Sequence, residues 1–203
     1  MTRVVATVTV TALCAVTAAT VARGEEPLSL TVRLYNTAGV PEPEMRSARD
    51  VAGDLLRDTG IAVVLRQCGR PSSDPSILPC NESLKQPEVV VRIINAPTAD
   101  TGLHPDAFGV AYVVRATNRG WLATVFSDRV ANAAVRIGIE PGTLLGRAIA
   151  HEVGHLLLGL GYHGDAGLMR AEWPDAQLLH APDEWRFTSI EAALMHSVLA
   201  APF

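Results

Sequence analysis

Two histidines, His151 and His155, stand four residues apart, and Glu152 directly follows the first of them. On an α-helix, residues with this spacing lie on one face about one turn apart, so both imidazoles can reach the same metal ion. Zinc binds imidazole nitrogen at ~2.0–2.1 Å in sites of this kind. Glu152 points about 100° round the helix from His151, where its carboxylate can take a proton from a metal-bound water. The pattern predicts a zinc site with Glu152 as the catalytic base.

The residues around this pattern are apolar on nearly all sides of the predicted helix, which indicates that the helix is buried. They are Leu144, Leu145, Ala148, Ile149, Val153, Leu156 and Leu157. Polar side chains in a buried helix need partners, because burying them unpaired is costly. A metal ion supplies such a partner. The competing interpretation is a buried helix whose two histidines are satisfied by other side chains.

A third ligand is expected, because catalytic zinc is usually held by three protein side chains. Gly159 or Gly161 can end the helix and turn the chain sharply, and we expect this turn to return His163 toward the metal. Asp165 is an alternative, since an oxygen ligand also suits zinc. Glu191 is a second alternative, as a glutamate on a later helix. Its position three residues after Thr188 is more typical of a capping box that opens the last helix.

The segment HEVGHLLLGLGYH, followed by AGLM, resembles the metzincin clan of zinc peptidases. The resemblance implies that His151, His155 and His163 hold one zinc ion per chain and that Met169 is the methionine of the turn below the metal. It also implies that peptide bonds are hydrolysed by a zinc-bound water, with Glu152 as general base. Residues 147–173 carry this resemblance. They are also similar to exported bacterial proteins of uncharacterised role that contain HEIGHLLLG and a GIMRA.W tail.

The chain departs from the usual metzincin spacing in the turn that follows the second histidine. Gly159 comes four residues after His155 and His163 comes eight residues after it, where the family pattern has three and six. The helix is therefore expected to be slightly longer and the turn larger than in the family. This departure keeps Asp165 open as an alternative to His163.

Two other functions are compatible with the same motif. One is a zinc-stabilised binding protein without a catalytic cleft, and the other is a zinc hydrolase of a non-peptide amide. Glu152 favours catalysis, because a purely structural zinc site has no use for a base. The leading hypothesis is a zinc peptidase that acts on a peptide or protein substrate.

The first 22 residues have the parts of a secretory signal peptide. Arg3 is followed by an apolar run, and small residues at Ala19 and Ala22 offer cleavage points. We therefore expect an exported, periplasmic or extracellular protein with no stable membrane insertion once the signal is removed. The remaining pair, Cys68 and Cys80, is predicted to form a disulfide, as an oxidising compartment favours.

Composition and charge indicate an ordinary globular protein. The chain has 203 residues, of which 48% are hydrophobic, and a formal net charge of −4. No basic run is present, so we expect no nucleic-acid partner. The length after the signal suits one catalytic domain over residues 28–203, and we expect a monomer.

Periodicity predicts five strands and four helices after the signal. The strands are expected at 28–35, 61–67, 88–94, 109–115 and 121–127, and the helices at 44–59, 128–137, 143–158 and 189–199. This order favours an α+β fold in which a mixed, four- to five-stranded sheet packs on helices, one of them carrying the metal ligands. By analogy with metzincins, the strand over 121–126 is expected to offer an exposed edge to an extended peptide.

Overall fold

The computed structural model describes residues 27–69, 80, 82–98, 102, 104–159, 161–179 and 184–201. The predicted signal peptide, residues 1–22, lies outside the described residues. No helix in the described ranges is long and apolar enough to span a bilayer.

Five strands form one mixed sheet. They are β1 (Ser29–Asn36), β2 (Ala62–Cys68), β3 (Glu88–Ile94), β4 (Gly109–Val114) and β5 (Arg119–Phe126). Their order across the sheet is β2-β1-β3-β5-β4. The pairs β1–β2, β1–β3 and β3–β5 are parallel, whereas β4 and β5 form an antiparallel hairpin. Strand β4 is therefore an edge strand of the sheet.

The described residues also form five helices. They are α1 (Glu42–Arg57), α2 (Ser127–Ile137), α3 (Pro141–Leu158), the single turn α4 (Asp175–Leu178) and α5 (Ser189–Ala200). Helices α1 and α3 pack against each other, and α3 also packs on β4 and β5. Along β1, the alternate residues Leu30, Val32 and Leu34 are buried. The hydrophobic core lies between the sheet and this helical layer.

The predicted α+β class and the order of the predicted elements are confirmed, and the differences are shifts of one or two residues at element ends and one additional short helix. Helix α3 starts at Pro141, two residues before the predicted position, because the Glu140 side chain accepts hydrogen bonds from the N–H groups of Gly142 and Thr143. A proline is well suited to the first turn that such a cap leaves open. The short helix α4 was not predicted, since four residues carry too little periodicity to detect.

The expectation that β5 offers a free edge is wrong. Strand β5 is bonded to β3 on one side and to β4 on the other, so its backbone groups are already paired along the sheet. The free edge near the site belongs to β4. Sequence patterning identifies a hairpin but does not tell which of its two strands lies inside the sheet.

The sheet face opposite the helices is covered in part by the segment that follows the disulfide. Cys68, the last residue of β2, is bonded to Cys80, with the two Cα atoms 5.5 Å apart. Arg33 of β1 is only 3% exposed and donates to the carbonyl of Glu82 at 2.7 Å. It also forms an ion pair with Glu88. These contacts hold the segment after Cys80 on the outer face, away from the predicted metal site.

Candidate metal centre

His151, His155 and His163 come together at the end of α3. One ring nitrogen from each lies within 4.8 Å of the others. The Nε2 atoms of His151 and His155 are 3.0 Å apart, close to the ~3.3 Å that two ligands of one tetrahedral zinc would have at normal bond lengths. The ring of His163 is centred 5.8 Å from that of His151 and 4.8 Å from that of His155. The three imidazoles therefore converge on one point.

The turn after α3 brings His163 back to the helix. Helix α3 ends at Leu158, and Gly159 takes a φ of 101°, which favours glycine over other residues. The N–H of Gly159 still donates to the carbonyl of His155 at 3.0 Å, so the chain leaves the helix one turn after His155. The long spacing thus places the third histidine beside the first two.

A backbone hydrogen bond orients the first histidine. The Nδ1 atom of His151 lies 2.8 Å from the carbonyl oxygen of Leu168, so Nδ1 carries the proton and donates it. The Nε2 atom is then left with a lone pair on the side that faces His155 and His163. A bond from the second ring nitrogen to a carbonyl is a common way to orient histidine ligands of metals.

The electrostatic surroundings keep the histidines neutral. Burial lowers the pKa of His151 to about 4. Burial also lowers the pKa of His155 to about 3, with the neighbouring His151 and His163 adding to the effect. Burial lowers the pKa of His163 in the same direction. At neutral pH all three rings are uncharged, which is the form that binds a metal ion.

Glu152 lies beneath the start of the edge strand. Its side chain is only 5% exposed, and Oε2 has no hydrogen-bond partner among the described residues. A Cβ atom on Gly109 would come within 2.6 Å of Oε1, so the carboxylate occupies space that only a glycine leaves free. Burial raises the pKa of Glu152 to about 8.

The donor set and its surroundings fit a zinc ion. Three neutral imidazoles are a preferred ligand set for zinc. The adjacent buried carboxylate has neither a cation nor a hydrogen-bond donor at Oε2 among the described residues, and a nearby positive charge would lower its raised pKa. Both observations are what a site built to hold a dication beside a base would show.

Met169 lies directly under the metal-site helix. It is fully buried, and its sulfur packs so closely against Gly154 that a Cβ atom at this position would collide with it. Gly154 stands between Glu152 and His155 in the chain. Met169 therefore supports the helix at Gly154, between Glu152 and His155.

The residues weighed as rival ligands or donors lie elsewhere. Asp165 is exposed and is not part of the histidine cluster. Glu191 is buried and forms the predicted capping box with Thr188. Tyr162 and Tyr112 carry hydroxyl groups that could donate to a substrate oxygen, but neither residue lines the cleft around the histidines. Among the candidates, only His163 joins the two helix histidines.

The cluster opens into a cleft of about 1010 Å³. Strand β4 forms one wall through Gly109, Val110, Ala111 and Val113. The opposite side is lined by α2 and by the segment 170–175. Trp173 from that segment packs edge-on against His151, with ring centroids 5.1 Å apart. The site is thus accessible along an edge strand.

Sequence reasoning missed two residues that touch the site. Trp173 was part of the GLMRAEW segment, yet nothing in the spacing indicated that its ring contacts His151. Gly109 could not be predicted from the sequence, because its importance comes from a contact with Glu152, 43 positions later in the chain. Both depend on tertiary packing that periodicity cannot reveal.

No protein-family model matches the chain, and no curated protein sequence matches it. Among solved structures, the chain is similar to the archaemetzincin of Methanopyrus kandleri, known from a crystal structure at 1.5 Å resolution. The TM-score is 0.51 at 18% sequence identity, and the match covers 89% of this chain and 99% of that chain. At this identity the likeness establishes the fold, and the predicted metzincin-like fold is confirmed.

The raised pKa of Glu152 predicts how the stability of the metal-free protein depends on pH. The unfolded carboxyl ionises near 4.5 and the folded one near about 8, so the free energy of unfolding falls as pH rises between these values. From pH 6.5 to pH 8 the fall due to Glu152 is about 2 kcal/mol. Urea unfolding in the presence of a chelator measures it.

The variant Glu152→Gln is the control, because an amide does not ionise. The lowered histidine pKa values reduce stability only below about pH 6.5 and act equally in both proteins. An equal fall in wild type and variant would show that Glu152 is not buried as described.

The packing of Glu152 under Gly109 predicts a coupling between the two residues. A Gly→Ala change at an ordinary backbone conformation raises stability by ~0.4–1 kcal/mol through the unfolded state. Gly109→Ala should give this gain only in a Glu152→Ala background, because Glu152 otherwise fills the space of the new Cβ atom. Thermal unfolding of the four metal-free proteins measures the difference, and equal shifts in both backgrounds would refute the contact.

Proposed function

We propose that this chain is an exported zinc peptidase that holds one zinc ion through His151, His155 and His163 and uses Glu152 as general base. One observation carries the proposal. Three neutral imidazole nitrogens lie within 4.8 Å of one another in an open cleft that the buried Glu152 also lines, and Glu152 Oε2 has no hydrogen-bond partner among the described residues.

The proposed zinc ion supplies a Lewis acid that polarises a carbonyl group and lowers the pKa of water toward ~7. The histidines bind and orient this ion. Leu168 holds the His151 ring through its carbonyl, and Met169 supports the helix from below. These contacts keep the ligands in place without a change of backbone conformation during the reaction.

Glu152 moves the protons. Its carboxylate takes a proton from the attacking water as the new carbon–oxygen bond forms. The same carboxyl then gives this proton to the leaving nitrogen as the carbon–nitrogen bond breaks. A carboxyl in a low-dielectric pocket is suited to both steps, because burial brings its pKa close to neutral pH.

The edge strand β4 is the proposed binding surface for the substrate backbone. Its outer N–H and C=O groups are those of a sheet edge, and an extended peptide can add to such an edge as a further strand. Gly109 and Ala111 of this strand line the cleft. A peptide bound there would pass beside Glu152, which lies against Gly109.

Export is the part of the proposal that rests on the sequence of the first 22 residues. The bond between Cys68 and Cys80 supports it, since disulfides persist in oxidising compartments. The resemblance of residues 147–173 to exported bacterial proteins also favours export, and this resemblance stays a prediction.

Zinc analysis and a peptide-library cleavage assay test the proposal. We expect about one zinc per chain in the wild type, loss of zinc in His151→Ala and His155→Ala, and cleavage that a chelator abolishes. Glu152→Gln should keep the zinc and lose cleavage by a factor of at least about 10²–10⁴, the usual contribution of a general base. His196→Ala is the matched histidine control, because His196 lies on α5 and contacts the carbonyl of Thr59 instead.

The outcomes separate the proposed peptidase from its alternatives. A wild type without stoichiometric zinc would contradict the metal site. Zinc binding with no cleavage of any library peptide would indicate a zinc-stabilised binding protein or a hydrolase of another amide. Cleavage that survives in Glu152→Gln would show that the assigned base is wrong.

A further inference from the structure

Glu191 is a fully buried carboxylate that the proposed reaction does not use. It is the third residue of α5 and 0% exposed. Its Oε2 atom accepts a hydrogen bond from the N–H of Thr188 at 2.7 Å, and its own N–H donates to Thr188 Oγ1 at 3.2 Å. These two bonds make the capping box of α5.

Capping alone does not account for the burial. A capping box needs only the two bonds between Thr188 and Glu191 and works at the protein surface. Glutamate is almost never fully buried unless it is paired, because taking a carboxylate out of water is costly. The second oxygen of Glu191 is therefore the part of the side chain that needs an explanation.

That oxygen faces the loop that carries the third histidine. A Cβ atom on Gly164 would lie 2.8 Å from Glu191 Oε1, so the loop backbone comes close to the carboxylate directly after His163. On the other side of His163, the Tyr162 hydroxyl also lies near the Glu191 carboxylate. Both chain neighbours of His163 thus lie against one buried group.

The rest of this loop is held by backbone bonds. The N–H of Gly164 donates to the carbonyl of Met169 at 2.8 Å, and the N–H of Leu168 donates to that of Arg186 at 2.9 Å. Helix α5 itself packs against α3, which carries the other two histidines. Glu191 therefore connects the helix of the first two histidines, through α5, to the backbone around the third.

We infer that Glu191 is a positioning residue for His163, which it holds in place through Tyr162 and Gly164. This inference rests on the proposed zinc site. It gives the buried carboxylate a second task besides capping. It also explains how His163, eight positions after His155, is kept in place, because α5 supports the added length of chain from behind.

Zinc affinity measured by competition with a chelator tests the inference. Residues that orient metal ligands typically contribute 10–100-fold to affinity, so Glu191→Gln should weaken zinc binding by about that factor. Gly164→Ala should weaken it in the same direction, because the new Cβ atom pushes the loop away from the carboxylate. This second variant keeps the capping box and covers the case in which Glu191→Gln does not fold.

Thr188→Ala is the matched control for the capping role. It removes the hydroxyl that accepts from Glu191 but keeps the backbone N–H that donates to Oε2. Loss of a cap lowers Tm by about 2–5 °C in a domain of this size, while zinc affinity should be unchanged. In a His163→Ala background, Glu191→Gln and Gly164→Ala should cause no further loss of affinity.

The results distinguish this inference from the proposed zinc site. If the wild type binds zinc and both Glu191→Gln and Gly164→Ala bind it equally well, Glu191 does not position His163. The same conclusion follows if Thr188→Ala weakens zinc binding as much as they do, or if their effects persist without His163. A wild type that binds no zinc would overturn the proposed site itself, and the inference with it.

Discussion

The burial of α3 is the constraint on which the site depends. The helix packs against α1 and against strands β4 and β5 of the sheet, and most of its side chains are inside the protein. Three polar residues in such a helix, His151, Glu152 and His155, must each be matched by a partner or kept neutral. The protein does both: the histidines and Glu152 have pKa values shifted toward their uncharged forms, and His151 is bonded to Leu168.

The same burial makes the surroundings of the helix part of the site. Gly109 gives room to the Glu152 carboxylate, and Gly154 gives room to the Met169 sulfur. A side chain at either glycine would displace a group that adjoins the three imidazoles. The absence of a side chain at Gly109 therefore lets Glu152 lie close to the edge strand, and its absence at Gly154 lets Met169 lie close to α3.

Much of this arrangement could be predicted from the sequence, because it is local. His151 and His155 lie about one helix turn apart, as do Thr188 and Glu191. The apolar run around the two histidines lies within the same predicted helix. The features that could not be predicted are those set by tertiary contacts. Whether β4 or β5 forms the edge depends on pairing with β3, and the space for Glu152 depends on Gly109.

The position of His163 could be predicted only in part. Gly159 indicates where the helix ends, but the spacing does not tell where the chain between the helix and His163 places this histidine. The backbone after His163 is held by the hydrogen bond from Gly164 to Met169 and by the close approach of Gly164 to Glu191 on α5, and the spacing of the histidines indicates neither contact. Family resemblance pointed to His163, and the structure places this residue beside His151 and His155.

X-ray absorption at the zinc edge of the full, zinc-loaded chain tests the central claim most directly. The account predicts three imidazole nitrogens and one further light atom at ~2.0–2.1 Å, with one imidazole lost in His163→Ala. A shell with sulfur at ~2.3 Å, fewer than three imidazoles in the wild type, or an unchanged shell in His163→Ala would contradict it.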